Sequence, residues 1–222
     1  IFNNHYNIVG FKKGIFRMKV LLTGFEPFGG STINPSEQAV HALAGSPPAG
    51  IDLSTAILPV DKTTGPQALL KAIAEVQPDV VICLGEASGR AVISIERLAV
   101  NLMDFRIPDN KGEQAVDQPI RADGPAAYFA TLPVRKLQEA VMAAGIPCDL
   151  SLTAGAYLCN QVMYTLLDHA AREKPALRGG FIHLPCLPQQ TATRADKTPS
   201  MGLDAILTGL RAGLSALVED QE

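Results

Sequence analysis

Residues 80–85 read Val-Val-Ile-Cys-Leu-Gly, an uncharged run closed by glycine. A segment so short and so apolar is expected to be a strand buried on both faces, the central strand of a parallel sheet. Two other runs have the same character, MKVLLTG at Met18–Gly24 and GGFIHL at Gly179–Leu184. Further strands are expected at Leu53–Val60, Ala91–Val100 and Cys148–Leu152. Helices are expected between them: one capped at Ser36 and running over Glu37–Ala44, then Gly65–Val76, Leu132–Ala144, Leu158–Arg172 and Leu203–Val218. The second of these has apolar residues at 69, 70, 73 and 76, the spacing of one helix face. Strands alternating with helices predict an α/β domain, its mainly parallel sheet covered on both sides.

The chain has 222 residues, 47% of them hydrophobic and 18% charged. That is enough to bury a core without staples. Its net charge of -3 comes with no long basic run, which argues against a nucleic-acid partner. No apolar stretch reaches the roughly 18 residues of a membrane-spanning helix. Four cysteines, at 83, 148, 159 and 186, lack C-x-x-C spacing and read as free thiols of a reducing, cytoplasmic compartment. Residues 1–17 precede Met18 and show no signal-peptide pattern; they are set apart as an extension, leaving 18–222 as one domain. Residues 104–126 are polar and rich in Pro and Gly, a long loop of the kind that carries function.

Cys159 is the first candidate for chemistry. It follows a strand, within LTAGAYLCN, and opens a helix. The first N–H groups of a helix have no backbone partner, and the macrodipole favours an anion there. Both effects would lower a thiol pKa and stabilise an oxyanion. Cys83 and Cys148 fall in strands and read as structural. Cys186, in the loop LPCLP, is expected to be exposed, with no helix start behind it. Among the histidines, His41 and His169 lie in helices, whereas His183 ends an apolar strand, where open α/β sheets carry their sites. His183 is therefore the best-placed base. A carboxylate should orient its ring. Glu86, after VVICLG, and Glu96, in ISIERLAVN, both qualify, and local pattern does not choose between them. Arg97 would be the simplest partner for a buried Glu96. Phe25 and Phe28, on a Gly/Pro loop at a strand end, could form a slot for a flat ring. Arg106 is a cation in the long loop. His183 and Cys186, three apart, have no second pair at ligand spacing, so a metal site is not expected.

The segments LLTGFEPFGG with NPS, GEASGR, ERLAVNLMDFRIPDN, DGPAAYFATLP, GIPCDLSLTAGAYLCN and GGFIHLPCLPQQ together resemble the pyroglutamyl peptidase I family of cysteine peptidases. The resemblance implies a three-layer α/β/α sandwich. It also implies hydrolytic removal of an N-terminal 5-oxoproline through a thioester, without metal or cofactor, in a homo-oligomer, a tetramer. It places the catalytic trio on Cys159, His183 and Glu96, the ring sandwich on Phe25 and Phe28, and an oxyanion arginine on Arg106. The chain departs from the family pattern where Glu86 replaces a glutamine that contacts the lactam, where Gln161 follows Asn160, and where Cys186 replaces an aromatic residue. An ionised Glu86 can accept from the lactam N–H but cannot donate to its carbonyl. Two alternatives follow: a non-catalytic or altered-specificity homologue, suggested by Glu86, and a phosphorolytic enzyme of the same fold, suggested by Gly29, Gly30 and Arg90.

Overall fold

The computed structural model describes residues 17–218, so the expected extension 1–17 lies, apart from Arg17, outside the described residues. In chain order the elements are β1 (Met18–Phe25), α1 (Pro35–Ala44), β2 (Ile51–Leu58), α2 (Thr64–Val76), β3 (Val80–Glu86), β4 (Ile93–Glu96), β5 (Leu98–Val100), β6 (Ala127–Phe129), α3 (Val134–Ala143), β7 (Cys148–Ser151), α4 (Leu158–Glu173), β8 (Arg178–Leu184), α5 (Pro188–Thr191) and α6 (Leu203–Val218). Six strands form one sheet in the order β2-β1-β3-β8-β4-β7, and β5 and β6 form a separate pair. β2, β1, β3 and β8 run parallel. Direction reverses between β8 and β4, and β7 runs with β4.

Side chains alternate across the strands, so each apolar run feeds two cores. Val20, Leu22, Ile82, Leu84, Ile95 and Ile182 pack on one face with α1, α3 and α6. Leu21, Val81, Cys83 and Phe181 pack on the other with α2 and α4. The result is the expected α/β/α sandwich, and VVICLG lies inside its sheet.

Three local expectations need correction. Asn34, not Ser36, caps α1, its side chain accepting from the Ser36 N–H at 2.9 Å. Ser36 lies inside the helix; its hydroxyl donates to Asn34 at 2.7 Å and accepts from the Phe25 N–H at 2.9 Å, tying the helix start to the end of β1. The single strand expected over Ala91–Val100 is two strands in different sheets, split at Arg97. Phe25 is not a loop residue but the last residue of β1.

Candidate active site

Strand register creates the central contact. Ser94 pairs with His183 and Glu96 with Phe181 in the antiparallel β4–β8 ladder. Partners and their i+2 neighbours share a face, so His183 reaches diagonally to Glu96. Its Nδ1 lies 2.7 Å from Glu96 Oε1. A carboxylate only accepts, so Nδ1 carries the proton and Nε2 keeps the lone pair. Arg90 Nη1 donates to the same Glu96 oxygen at 2.7 Å, and its Nη2 donates to the Thr153 carbonyl at 2.9 Å. Glu96 is fully buried, and its cationic partner is Arg90 rather than the expected Arg97. Burial pushes the Glu96 carboxyl upward, but the His183 hydrogen bond and charge, with help from Ser151 and Arg90, outweigh it and the net shift is downward. Burial pushes the His183 imidazole below its ordinary 6.5 despite Glu96, so the ring is neutral near pH 7.

Cys159 is the second residue of α4. Tyr157 stands at the N-cap and contributes no side-chain cap bond, so the first-turn N–H groups are not claimed by it. The expected fall in thiol pKa does not occur. Burial, with the nearby charges of Glu96 and Glu86, raises Cys159 to about 12, against a smaller opposing pull from Arg90. Desolvation is the largest of these effects. Burial likewise raises Cys83 and Cys148 to about 12 and moves Cys186 upward, so resting thiolate character does not distinguish the four. What does distinguish Cys159 is that it shares a cavity with His183.

That cavity has a volume of about 670 Å³. Cys159, His183, Arg90, Glu86, Arg106 and Phe28 are among the residues that line it. A narrower apolar recess opens beside it, walled by Phe25, Phe28, Val60, Tyr157 and Leu158, and both Cys159 and Glu86 border the recess as well. Phe25 is almost fully buried against Phe181, with ring centroids 6.4 Å apart, so it forms the floor of the recess rather than a free flap. Glu86 ends β3 and is held from two sides: Gln190 Nε2 donates to Oε2 at 2.8 Å, and the Cys186 thiol to Oε1 at 3.4 Å. Cys186 is fully buried, contrary to the exposed loop expected, and its backbone forms an isolated bridge with Ser200.

Gly85 explains how Cys159 approaches the sheet. It pairs with His183 across β3–β8. A Cβ built on it would lie 2.9 Å from Cys159 Sγ and 2.7 Å from Phe181 Cζ. The missing side chain is the seat of the thiol. Gly85→Ala is therefore expected to displace Cys159 and lower kcat by about 10- to 100-fold, since misplacement by about 1 Å costs that much in positioned chemistry. Steady-state kinetics with a thermal melt would check this, and an unchanged kcat would contradict the seat.

Three contributors escaped the sequence reading. Tyr157 packs edge-on against Phe105, with centroids 4.7 Å apart, and its hydroxyl donates to the Pro108 carbonyl at 3.2 Å. It thereby fixes the long loop to the start of α4. Asn160 is buried and clamps β5, accepting from the Val100 N–H and donating to the Val100 and Leu102 carbonyls, each at 2.9 Å. Glu26 accepts from the Val60 N–H at 2.9 Å and from Asn110 Nδ2 at 2.8 Å, latching the loop that carries Arg106. The only local signal for these was proximity to Cys159, Phe25 and the RIPDN stretch.

A family model described as pyroglutamyl peptidase matches residues 18–220. The chain belongs to the pyroglutamyl peptidase family. It is 46% identical over 203 residues to pyrrolidone-carboxylate peptidase 2 of Photorhabdus laumondii, covering 91% of this chain and 93% of that one. It is 45% identical over 208 residues to the pyrrolidone-carboxylate peptidase of Bacillus subtilis, covering 93% and 95%. The crystal structure of pyroglutamyl peptidase I from Bacillus amyloliquefaciens superposes with a TM-score of 0.88 at 41% identity, covering 91% of this chain and 98% of that chain. A mutant pyrrolidone carboxyl peptidase from Pyrococcus furiosus gives the same TM-score and identity, with 92% and 100% covered. The pyroglutamyl peptidase fold thus extends over almost the whole chain, including the β8–β4 reversal that sets His183 against Glu96.

Proposed function

We propose that this chain is a cysteine peptidase that removes an N-terminal pyroglutamyl residue from peptides by hydrolysis. One observation carries the mechanism. The imidazole locked to Glu96 and the thiol on the first turn of α4 border one cavity, beside an apolar recess walled by Phe25 and Phe28. Cys159 Sγ attacks the pyroglutamyl carbonyl carbon while His183 Nε2 takes the thiol proton. Glu96 supports the imidazolium that forms. The first-turn N–H groups of α4, with Arg106, receive the oxyanion. The carbon–nitrogen bond breaks as His183 passes the proton to the leaving amine, and a thioester remains. Water, deprotonated by the same ring, then releases pyroglutamate and restores the thiol.

The ring lies between Phe25 and Phe28, and Glu86 accepts its N–H. A phosphorolytic reading is weakened because Arg90 is committed to Glu96 and is not available to cradle phosphate. The test compares a pyroglutamyl chromogenic amide with its prolyl analogue, which lacks the ring carbonyl. Turnover of the first and not the second is expected; no turnover of either would remove the proposal. The same reading includes a single catalytic domain over residues 18–222, cytoplasmic residence and a homotetramer. Four free thiols support the compartment. Among the described residues no helix is long and apolar enough to cross a membrane. Exposed Phe129, Leu152 and Val116 supply apolar surface for association between copies.

The pH profile follows from the two shifted groups. The base works as neutral imidazole, which is present above the His183 pKa and lost as pH falls through it. That pKa lies below 6.5, so the acid limb of kcat/KM is expected below 6.5 as well. The Cys159 thiol, at about 12, stays protonated through the neutral range. Alkylation of Cys159 by iodoacetamide should therefore keep climbing past the ordinary thiol pKa of about 8.5. A rate already saturated near neutral pH would mean a preformed thiolate and a different first step.

A further inference from the structure

The cavity and the recess meet at Cys159, which borders both. With a scissile bond at its thiol and the acyl ring turned toward Phe25 and Phe28, as in the proposed function, the leaving residues fall in the larger cavity. The charge of that larger cavity is lopsided. Arg90, Arg106 and Arg194 line it against one carboxylate, Glu86. Arg90 is neutralised by Glu96 behind it. Glu86 faces Gln190 and Cys186 and borders the ring recess. Arg106 makes no hydrogen bond or ion pair with the described residues, and it is exposed. Arg194 is also exposed, and its Nη1 donates only to the neutral Ser88 hydroxyl at 3.2 Å. Asp196 lies close enough for its charge to be felt by Arg194, but its carboxylate is engaged by Thr198 at 2.7 Å and does not line the cavity. A pyroglutamyl ring is uncharged and Arg106 serves the oxyanion, so the Arg194 guanidinium has no charge to meet at the acyl end.

We propose that Arg194, reinforced by the field of Arg106, is a specificity-determining subsite for a carboxylate on the leaving portion of the peptide. This rests on the pyroglutamyl-peptidase reading and names the substrates that reading favours. The carboxylate has two sources: an acidic side chain just after the scissile bond, or the free C-terminus of a very short peptide. A guanidinium on an open rim gains an ion pair that salt screens, worth about a three- to fivefold preference.

The experiment measures kcat/KM of the full chain on pyroglutamyl-alanine amide, pyroglutamyl-glutamate amide, pyroglutamyl-lysine amide and pyroglutamyl-alanine with a free carboxylate. One or both carboxylate-bearing substrates should exceed the alanine amide by about three- to fivefold, the lysine amide should fall below it, and high salt should narrow the spread. Gain in the glutamate amide assigns the side-chain source; gain in the free acid assigns the C-terminus. Arg194→Gln should bring these ratios to about one, and Arg194→Lys should keep them above one. Equal rates on all four substrates would overturn the subsite. So would an Arg194→Gln protein in which every substrate slows by one common factor, the mark of a residue that only anchors its loop to Ser88. A chain inert toward all four would overturn the pyroglutamyl reading as well, so the two failures are distinguishable.

Discussion

Cys159→Ala is expected to abolish thioester chemistry and reduce kcat on a pyroglutamyl amide by on the order of 10⁵-fold, the scale seen when a covalent nucleophile is deleted. The expectation stands on position, not on reactivity at rest. Cys83 is sealed in the sheet, and Cys186 faces Glu86 with no imidazole beside it. Only Cys159 combines the first turn of a helix with a cavity that also admits His183. Deleting its sulfur opens a small void over Gly85 without unpairing a buried polar group, so the protein should fold. Cys148→Ala, at the start of β7, is the control, and it should retain turnover. The measurement is a burst and steady-state assay, with mass spectrometry for the acyl-enzyme. An acyl adduct on the Cys159→Ala protein, or full turnover by it, would end the nucleophile assignment.

Glu96→Gln should lower kcat by about 10²- to 10⁴-fold, with the fold intact. His183 and Arg90 both donate to the same oxygen, Oε1, at 2.7 Å. Glutamine can keep a carbonyl at that position, so the Nδ1–H tautomer survives. What disappears is the negative charge. The imidazolium formed during attack then faces Arg90 without a counter-charge, and Arg90 already pushes the His183 pKa down. Two readouts follow: kcat falls, and the acid limb moves to still lower pH because protonating the ring has become harder. A purely structural role would lower the melting temperature without moving that limb. A variant within a few-fold of the parent enzyme, with the same pH profile, would return Glu96 to the class of buried salt-bridge residues.

Much of the fold could be read locally because its decisive strands are buried on both faces. MKVLLTG, VVICLG and GGFIHL have no polar face to confuse with helix, and the sheet uses all three. ISIERLAV was not readable as two strands. The break at Arg97 is where the chain passes from the six-stranded sheet to a pair with β6, and no Gly or Pro marks it. β6 itself is three residues paired with β5 across the long loop, too short for any periodicity. The prolines around Cys186 suggest an exposed loop; the segment instead bridges to Ser200 and is buried, a contact the local pattern cannot encode. For the site, Cys159 and His183 were legible as residues at element ends. The choice of Glu96 over Glu86 was not, since it depends on an antiparallel register between segments 87 residues apart. Only the family resemblance carried that information.

That register has a consequence for how the molecule is made. β4 is four residues long, and its pairing with β8 joins positions distant along the chain. Such pairings carry a loop-closure cost that is met before they are rewarded. A slip by one residue would turn Glu96 to the opposite face of the sheet and leave His183 without its carboxylate. Catalysis is thus a readout of assembly: in a refolding mixture, activity counts the molecules whose β4 has docked in the correct frame, while helical signal counts those that have merely collapsed.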